Sequence, residues 1–584
     1  MGFVRVVNMI PASLSGETNQ DSEPNLAVNP ERPTDIVGTA FTPAPAGGAL
    51  APIYVSTDGG QTWTLRNVVP GGSSTGDITV GFSTTGGVLY AGILRQNTAR
   101  MQVLRTPTFT ANTPMTVLLD RSQEDQPWLV AGSVVVNGRS VDRVYVGSRD
   151  AQSRPFVGAV AAATAAAPAG FRETPLGLRR GPFSLPPTRM AIHPDGTVYA
   201  AFMHCTRAFG DGNNMEFEVV VRRDDSWGDN VNAFAALAEP GQITPGVRAS
   251  AANFARFNDT IGQERVGADL AIAVDPNDSS TVYLAFCDRS GGVSGTDWRL
   301  SVLLSNDRGN RWSVVHDIGP TAKNPALAVS AEGRVGLAYQ EFTGGRWVTR
   351  LELTRDAWAT APETKVLHQA PANVPARSFF PYIGDYIRLL AVGNDFYGVF
   401  SGNNTPDLAN FPNGVSYQRS ANFVTRVLLN VDGITPVTPS IDPFFFHWSR
   451  VKPRETKQGI TKDEADTPPK SIKSEIKELV ESKPGVTKAE ADTPPKSVKA
   501  EIKEVVESKP GLTKAELDLP RKHEFEHGPK GLGSGGLDAF TSLLLKLNQR
   551  LGVLEEQVVQ GQAFIRPTER PDVGTLPDQA DEEQ

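Results

Sequence analysis

The sequence predicts an all-β propeller of seven blades, or alternatively six, followed by a small helical repeat spacer and a C-terminal coiled-coil-like helix. Three observations carry this expectation. A pair of short strands separated by a turn recurs seven times between residues 20 and 448. An eight-residue turn motif occurs twice in the same stretch. After Trp448 the composition changes abruptly to Lys, Glu and Pro, with a repeat of its own. The expected domains are 1–450 for the propeller, 451–530 for the spacer, and 531–584 for a Gly-rich hinge, a helix at 537–561 and an acidic tail.

Each unit opens with a strand of the form x-x-(L/I)-A-V. The seven are Leu26-Ala27-Val28, Val80-Gly81-Phe82, Trp128-Leu129-Val130, Met190-Ala191-Ile192, Ile272-Ala273-Val274, Leu327-Ala328-Val329 and Leu390-Ala391-Val392. Turns such as H-P-D-G and D-P-N-D lead to a second strand, best seen in Val198–Phe202, Val282–Phe286 and Phe396–Phe400. Pro, Asp and Gly between β-branched and aromatic runs are hairpin chemistry. Third or fourth strands are expected at Phe217–Arg222, Trp347–Thr354 and Val415–Arg419. Four strands every 50 to 80 residues make one propeller blade.

The turn motif reads Ser56-Thr57-Asp58-Gly59-Gly60-Gln61-Thr62-Trp63 and Ser305-Asn306-Asp307-Arg308-Gly309-Asn310-Arg311-Trp312, so both copies fit S-x-D-x-G-x-x-W. A short Asp can accept hydrogen bonds from the exposed N–H groups of a turn. Gly supplies the positive φ, Ser ties the loop to its own backbone, and Trp closes over it. Together with Glu23-Pro24-Asn25, Asp125-Gln126-Pro127-Trp128 and Gly384-Asp385-Tyr386, these motifs resemble the Asp-box, or bacterial neuraminidase, repeats of sialidase-like propellers. The resemblance covers about residues 20–448 and implies a sialidase-like fold. In that family the Asp-box is structural and lies away from the ligand face.

Three residues before each first strand stand Glu23, Asp77, Asp125, Pro187, Asp269 and Asn324, with Asp385 displaced in the seventh unit. Equivalent positions of a propeller lie on a circle, so these polar groups are expected to converge at one mouth. Convergent polar groups in a concave mouth suit ligand binding. Paired carboxylates can also cleave a glycosidic bond. A carboxylate ring would accept a hard cation such as Ca²⁺, although no cofactor is required. The bland alternative is that each Asp fixes a strand start. Family sialidases add three arginines for the sugar carboxylate, a Tyr nucleophile assisted by Glu, and an Asp acid/base. Candidate arginines here are Arg149, Arg189, Arg289, Arg377 and Arg388, and candidate tyrosines are Tyr382 and Tyr386. The family's early Phe/Tyr-Arg-Ile-Pro motif is missing, since Val4-Arg5-Val6 reaches Pro11 at the wrong spacing. The expectation is therefore a glycan- or protein-recognition head. A hydrolase using Asp125, Asp385 and Tyr386 and a structural scaffold are the alternatives.

Net charge −8 and 21 % charged residues give no footprint for nucleic acid. No run reaches the roughly 18 apolar residues of a membrane span. No signal-peptide pattern opens the chain, which suggests cytoplasmic synthesis with non-classical export or packaging in a particle. Cys205 and Cys287 allow one bridge or two buried thiols. His523 and His527 lack the helix context of a zinc site. In the tail, Thr-Pro-Pro-Lys recurs at 467–470 and 493–496 within a 26-residue repeat, which reads as short capped helices. Leu537, Phe540, Leu544, Leu547, Leu551, Leu554 and Val558 form a heptad stripe. That stripe is expected to oligomerise or to dock the chain on a larger assembly, such as a contractile injection particle.

Overall fold

The structure is a computed structural model. It describes residues 2–450 apart from short stretches, the longest being 162–171, 177–187, 257–269 and 376–382. The chain divides after Gly459. The spacer, the hinge and the docking stripe from Leu537 to Val558 lie outside the described residues.

The described residues form an all-β, propeller-like fold. Seven four-stranded antiparallel sheets are present, with one small three-stranded sheet. Sheets one to six each take four consecutive strands. Their first strands are Ser22–Val28, Thr75–Phe82, Glu124–Val136, Arg189–Ile192, Leu270–Asp275 and Ala322–Val329. Sheet seven runs Arg388–Val392, Asp395–Asn403, Ile441–Ser449 and Phe3–Asn8. The first strands touch one another in sequence order, and that of sheet seven returns to that of sheet one, so the sheets close a ring.

The start of the chain completes the last sheet. Phe3–Asn8 pairs antiparallel with Ile441–Ser449, from Phe3 opposite Ser449 to Asn8 opposite Phe444. The expected strand Val415–Arg419 is not one. It belongs to an excursion from 404 to 440 that carries the three-stranded sheet, and Ser416 makes only an isolated bridge to Val7. The reason is competition for the same sheet edge. Ile441–Ser449 reads IDPFFFHWS and is buried at every position. It therefore offers far more apolar area to two flanking sheets than 415–419 can.

The core lies between sheets. Leu26, Val28 and Tyr54 of sheet one pack on Tyr397, Val399 and Phe445 of sheet seven, while Tyr199, Val219 and Val221 of sheet four pack on Ile272, Leu284 and Phe286 of sheet five. The recurring V-Y pair of the second strands serves this contact. Tyr90 donates to Asp142 of sheet three at 2.6 Å, Tyr145 to the Trp227 carbonyl at 2.9 Å, and Tyr199 to the Ser279 carbonyl at 2.6 Å. Each ring fills an inter-sheet gap, and each hydroxyl finds an acceptor beyond it. Cys205 and Cys287 are both buried thiols and are not joined in a disulfide.

The two S-x-D-x-G-x-x-W turns share one hydrogen-bond pattern. Ser56 Oγ donates to Asp58 at 2.8 Å and accepts from Gly60 N at 2.9 Å, while Asp58 accepts from Gln61 N at 2.9 Å and Thr62 N at 3.0 Å. Ser305, Asp307, Gly309 and Arg311 repeat it at 2.9 Å throughout. Trp63 packs edge-on against Phe445, 5.4 Å between centroids, and Trp312 donates to the Gly309 carbonyl at 3.1 Å. A third copy escaped the motif. Thr354 Oγ1 donates to Asp356 at 2.8 Å and accepts from Trp358 N at 3.0 Å. Trp358, φ +63°, stands where the first copy has Gly60, φ +83°.

Candidate functional site

The first strands carry the site, and a shared defect shapes it. In sheets one, two, three and six the strand gains one residue over its partner near its start. The breaks fall between Ser22 and Asn25, Thr75 and Ile78, Asp125 and Trp128, and Lys323 and Ala326. Such β-bulges re-aim side chains. Pro24, Pro127 and Pro325 sit in three of them, where no ladder N–H is needed. Glu23 and Asn324 occupy the same bulge position, with φ +50° and +52°. This register corrects the ring inferred from sequence. Asp77 lies one place later than Glu23 and Asn324, and Asp125 one place earlier. Counting back from the first apolar residue fails because that residue itself shifts from strand to strand.

The groups that meet come from several sheets. Tyr386, just ahead of the first strand of sheet seven, donates its hydroxyl to Asp77 of sheet two at 3.0 Å. Tyr386 packs edge-on against Trp128 of sheet three, 5.4 Å between centroids. Arg189 of sheet four places its guanidinium carbon 3.8 Å from the Trp128 ring centre and 5.7 Å from that of Tyr386. Arg388 of sheet seven lies 4.6 Å from the Trp128 ring centre. Two guanidinium groups packed against one indole make a strong cation–π arrangement.

A second knot lies beside this one. Gly384, φ +79°, takes a conformation suited to glycine, and a Cβ there would lie 2.5 Å from Glu23 Cγ. Its carbonyl accepts from Asn324 Nδ2 at 3.0 Å and Lys323 Nζ at 3.3 Å. Asn324 Nδ2 also donates to Gln340 at 2.7 Å. Asp385 is buried next to Tyr386.

Trp128, Arg189, Tyr386 and Arg388 line part of a cavity of about 200 Å³. Most of its lining residues are apolar in type, including Ile192, Leu270, Ile272, Leu327 and Leu389, although polar atoms make up about half of the surface they present. Among the described residues its lining carries two charges, those of Arg189 and Arg388, and neither Glu23 nor Asp77 is part of it. Desolvation, helped by Arg189, pushes the Arg388 guanidinium down to about 9. Arg388 is half-buried by surface area, yet protein surrounds it on the cavity wall, so interior desolvation is the apt description. Among the described residues its buried Nε has no hydrogen-bond acceptor. Burial, then the charges of Asp77 and Glu23 and the bond to Asp77, holds the Tyr386 phenol well above its ordinary range. Its proton therefore stays in place at neutral pH.

Sequence reasoning placed Glu23, Asp77, Asn324, Asp385, Tyr386, Arg189 and Arg388 among the candidates, and the structure brings them close to one another through the contacts above. Asp269, Arg377 and Tyr382 lie outside the described residues, as do the side chains of Asp125 and Arg149. Arg289 is elsewhere, donating to Asn214 at 3.1 Å. Two residues were missed as site members. Trp128 was read only as a strand residue, although Pro127 just before it marks a bulge that turns the indole. Lys323, almost fully buried, was hidden by its usual surface role.

The fold and site define an all-β, propeller-like protein with a cavity whose lining includes two arginines packed on a tryptophan. No protein-family model matches the chain, and no curated protein does either. Among solved structures it is similar to an α-L-arabinofuranosidase of Fusarium graminearum in complex with an iminosugar inhibitor, with 10% identity and a TM-score of 0.34, over 63% of this chain and 98% of that one. It is similar also to an α-L-arabinanase of Penicillium chrysogenum complexed with arabinobiose, with 11% identity and a TM-score of 0.35, over 58% and 94%. Drosophila Semaphorin 2a shows 12% identity and a TM-score of 0.36, over 63% and 70%.

Proposed function

We propose that this chain is a seven-bladed, sialidase-like propeller with Asp-box hairpins, acting as a recognition head for an anionic ligand, in particular the carboxylate of an acidic glycan or protein group. One observation carries the reading. Among the described residues, the charges on the cavity lining are two guanidinium groups, both packed against one indole. Guanidinium forks match carboxylates, and an indole face suits the apolar face of a sugar. The closed ring of seven sheets supports the blade count, and the shared Ser–Asp–Gly bonding supports the Asp-box reading. The C-terminal stripe then carries the head on a homo-oligomer or a larger assembly, an injection particle being one such host.

Binding is favoured over hydrolysis because Tyr386 is buried and its proton is held by Asp77. A second reading, a glycoside hydrolase, draws on that same pair, since a carboxylate 3.0 Å from a phenol can also serve as its base. The test is an acidic-glycan array followed by calorimetry, with Arg388→Met and Arg189→Met. Saturable binding weakened at least tenfold by Arg388→Met is expected. Unchanged binding in both variants would sink the site. Turnover of fluorogenic sialosides that Tyr386→Phe abolishes would replace recognition with catalysis.

A further inference from the structure

A second group of charged side chains lies away from the cavity, at the seam where the two ends of the folded ring meet. Glu17 and Asp21 precede the first strand of sheet one, and Asp442 stands in the strand that pairs with Phe3–Asn8. Their carboxylate oxygens lie within 4.8 Å of one another. Asp21 and Asp442 are fully buried, and Glu17 is 7% exposed. Arg419, also fully buried, pairs with Asp442.

The satisfaction of these carboxylates is uneven. Asp442 has four donors: Asn404 Nδ2 and Ser440 Oγ on Oδ1, both at 2.9 Å, and Asn8 Nδ2 at 2.7 Å and Arg419 on Oδ2. Among the described residues, Asp21 has none on either oxygen, and Glu17 Oε2 has none. Thr42 is near enough to Asp21 to favour its charged form, yet the two do not meet in hydrogen-bond geometry. The Tyr54 hydroxyl, close enough to feel all three carboxylates, is also buried without a partner. A buried carboxylate without donors is costly unless a cation faces it. With all three ionised, the carboxylates against one guanidinium leave two negative charges, the amount that one divalent ion cancels.

We propose that Glu17, Asp21 and Asp442 hold a calcium ion that locks the seam of the ring. The free oxygens of Asp21 and Glu17 are the principal ligands, and the donor-saturated Asp442 closes the third side. The donors are all oxygen, which selects a hard cation. The site is buried, and calcium sheds water and accepts several carboxylates more readily than magnesium, which keeps its waters. The ion would join a segment near the start of the chain to the last strand of the ring. Its stabilisation follows mass action, because the unfolded chain does not bring these carboxylates together.

The experiment uses the full chain. Metal content is measured after dialysis against calcium and then buffer, and thermal melts are run with EDTA, CaCl₂, MgCl₂ and NaCl. Stoichiometric calcium is expected, with a melting rise of several degrees specific to CaCl₂. Asp21→Asn should lose that rise and, in EDTA, melt no lower than wild type, because it removes an unpaired buried charge. If Asp21→Asn does not fold, the wild-type metal content and melts decide alone. Identical melts with EDTA and calcium and only trace metal would overturn the proposal. So would a rise with magnesium or sodium as large as that with calcium.

Discussion

His368 allows the sharpest quantitative test of how this ring is held. It sits in the last strand of sheet six, 2% exposed, among the rings of Phe411 at 4.9 Å, Phe400 at 5.8 Å and Phe444 at 5.9 Å. Its Nε2–H donates to the Asn403 carbonyl at 3.2 Å. Burial pushes its pKa down to about 4, against 6.5 when exposed. The folded state thus refuses a proton that the unfolded chain accepts. The stability from this residue is complete above pH 6.5 and is lost as pH falls from 6.5 to 4. A difference of about 2.5 units at 1.36 kcal/mol each gives about 3 kcal/mol. Glu17 acts in the opposite direction, since burial pushes it up to about 8, so its share is complete below 4.5 and is lost as pH rises towards 8. The wild-type profile alone is therefore ambiguous, and the comparison with His368→Gln isolates the term. That variant keeps a neutral donor for Asn403. Urea unfolding of both proteins at pH 7 and pH 4 should show wild type losing about 3 kcal/mol more than the variant. Parallel losses, within about 1 kcal/mol, would refute the account of a neutral, desolvated imidazole.

Three further outcomes follow from the same physics. Asp58→Ala removes the acceptor for Gln61 N, Thr62 N and the Ser56 and Thr62 hydroxyls. It should lower the urea midpoint by an amount equal to about 1–3 kcal/mol while leaving ligand binding intact. Gly384→Ala forces a Cβ to 2.6 Å from the Glu23 backbone nitrogen at φ +79°. A cost above about 2 kcal/mol is expected, and an unchanged melting temperature would contradict the packing. Burial holds Tyr54, Tyr386 and Tyr417 well above 10, so their stability is complete below pH 10 and is lost as pH rises beyond it. In an alkaline titration, phenolate absorbance from these rings should appear only with unfolding.

Local chemistry made much of this fold legible. The V-Y strands and the Ser–Asp–Gly turns depend on residues within a few positions of each other, so the sequence reads them directly. The closure of sheet seven does not, because Phe3 finds Ser449 across nearly the whole described chain. The third turn was missed because Trp358 takes a positive φ where a glycine was sought. The polar ring was readable by residue type but not by register, since the first apolar residue from which it was counted stands at a different distance from the bulge in each strand, which moves Asp77 and Asp125 off the position of Glu23. Nothing local in Arg189 or Arg388 says that both will meet Trp128, for the three come from different sheets. The helix stripe from Leu537 lies outside the described residues and stays an expectation.

The charge around the cavity shows why residue type alone misleads about function. Counted by position, the strand starts are acidic, and an acidic mouth is a poor host for an anion. The bulges change that result. They turn Asp77 to Tyr386 and pack Glu23 against Gly384, which among the described residues leaves the charge on the cavity wall to Arg189 and Arg388. The chain as a whole carries −8, so an anion approaching from afar is repelled. That repulsion fades beyond about 8 Å at physiological salt, whereas the attraction inside a low-dielectric cavity is barely screened. Added salt should therefore speed association more than it weakens the bound state. A surface patch of arginines would show the opposite, with affinity falling steeply as salt rises. Stopped-flow binding at two salt concentrations separates the two cases, because only a ligand held inside the cavity gains on-rate as salt is added.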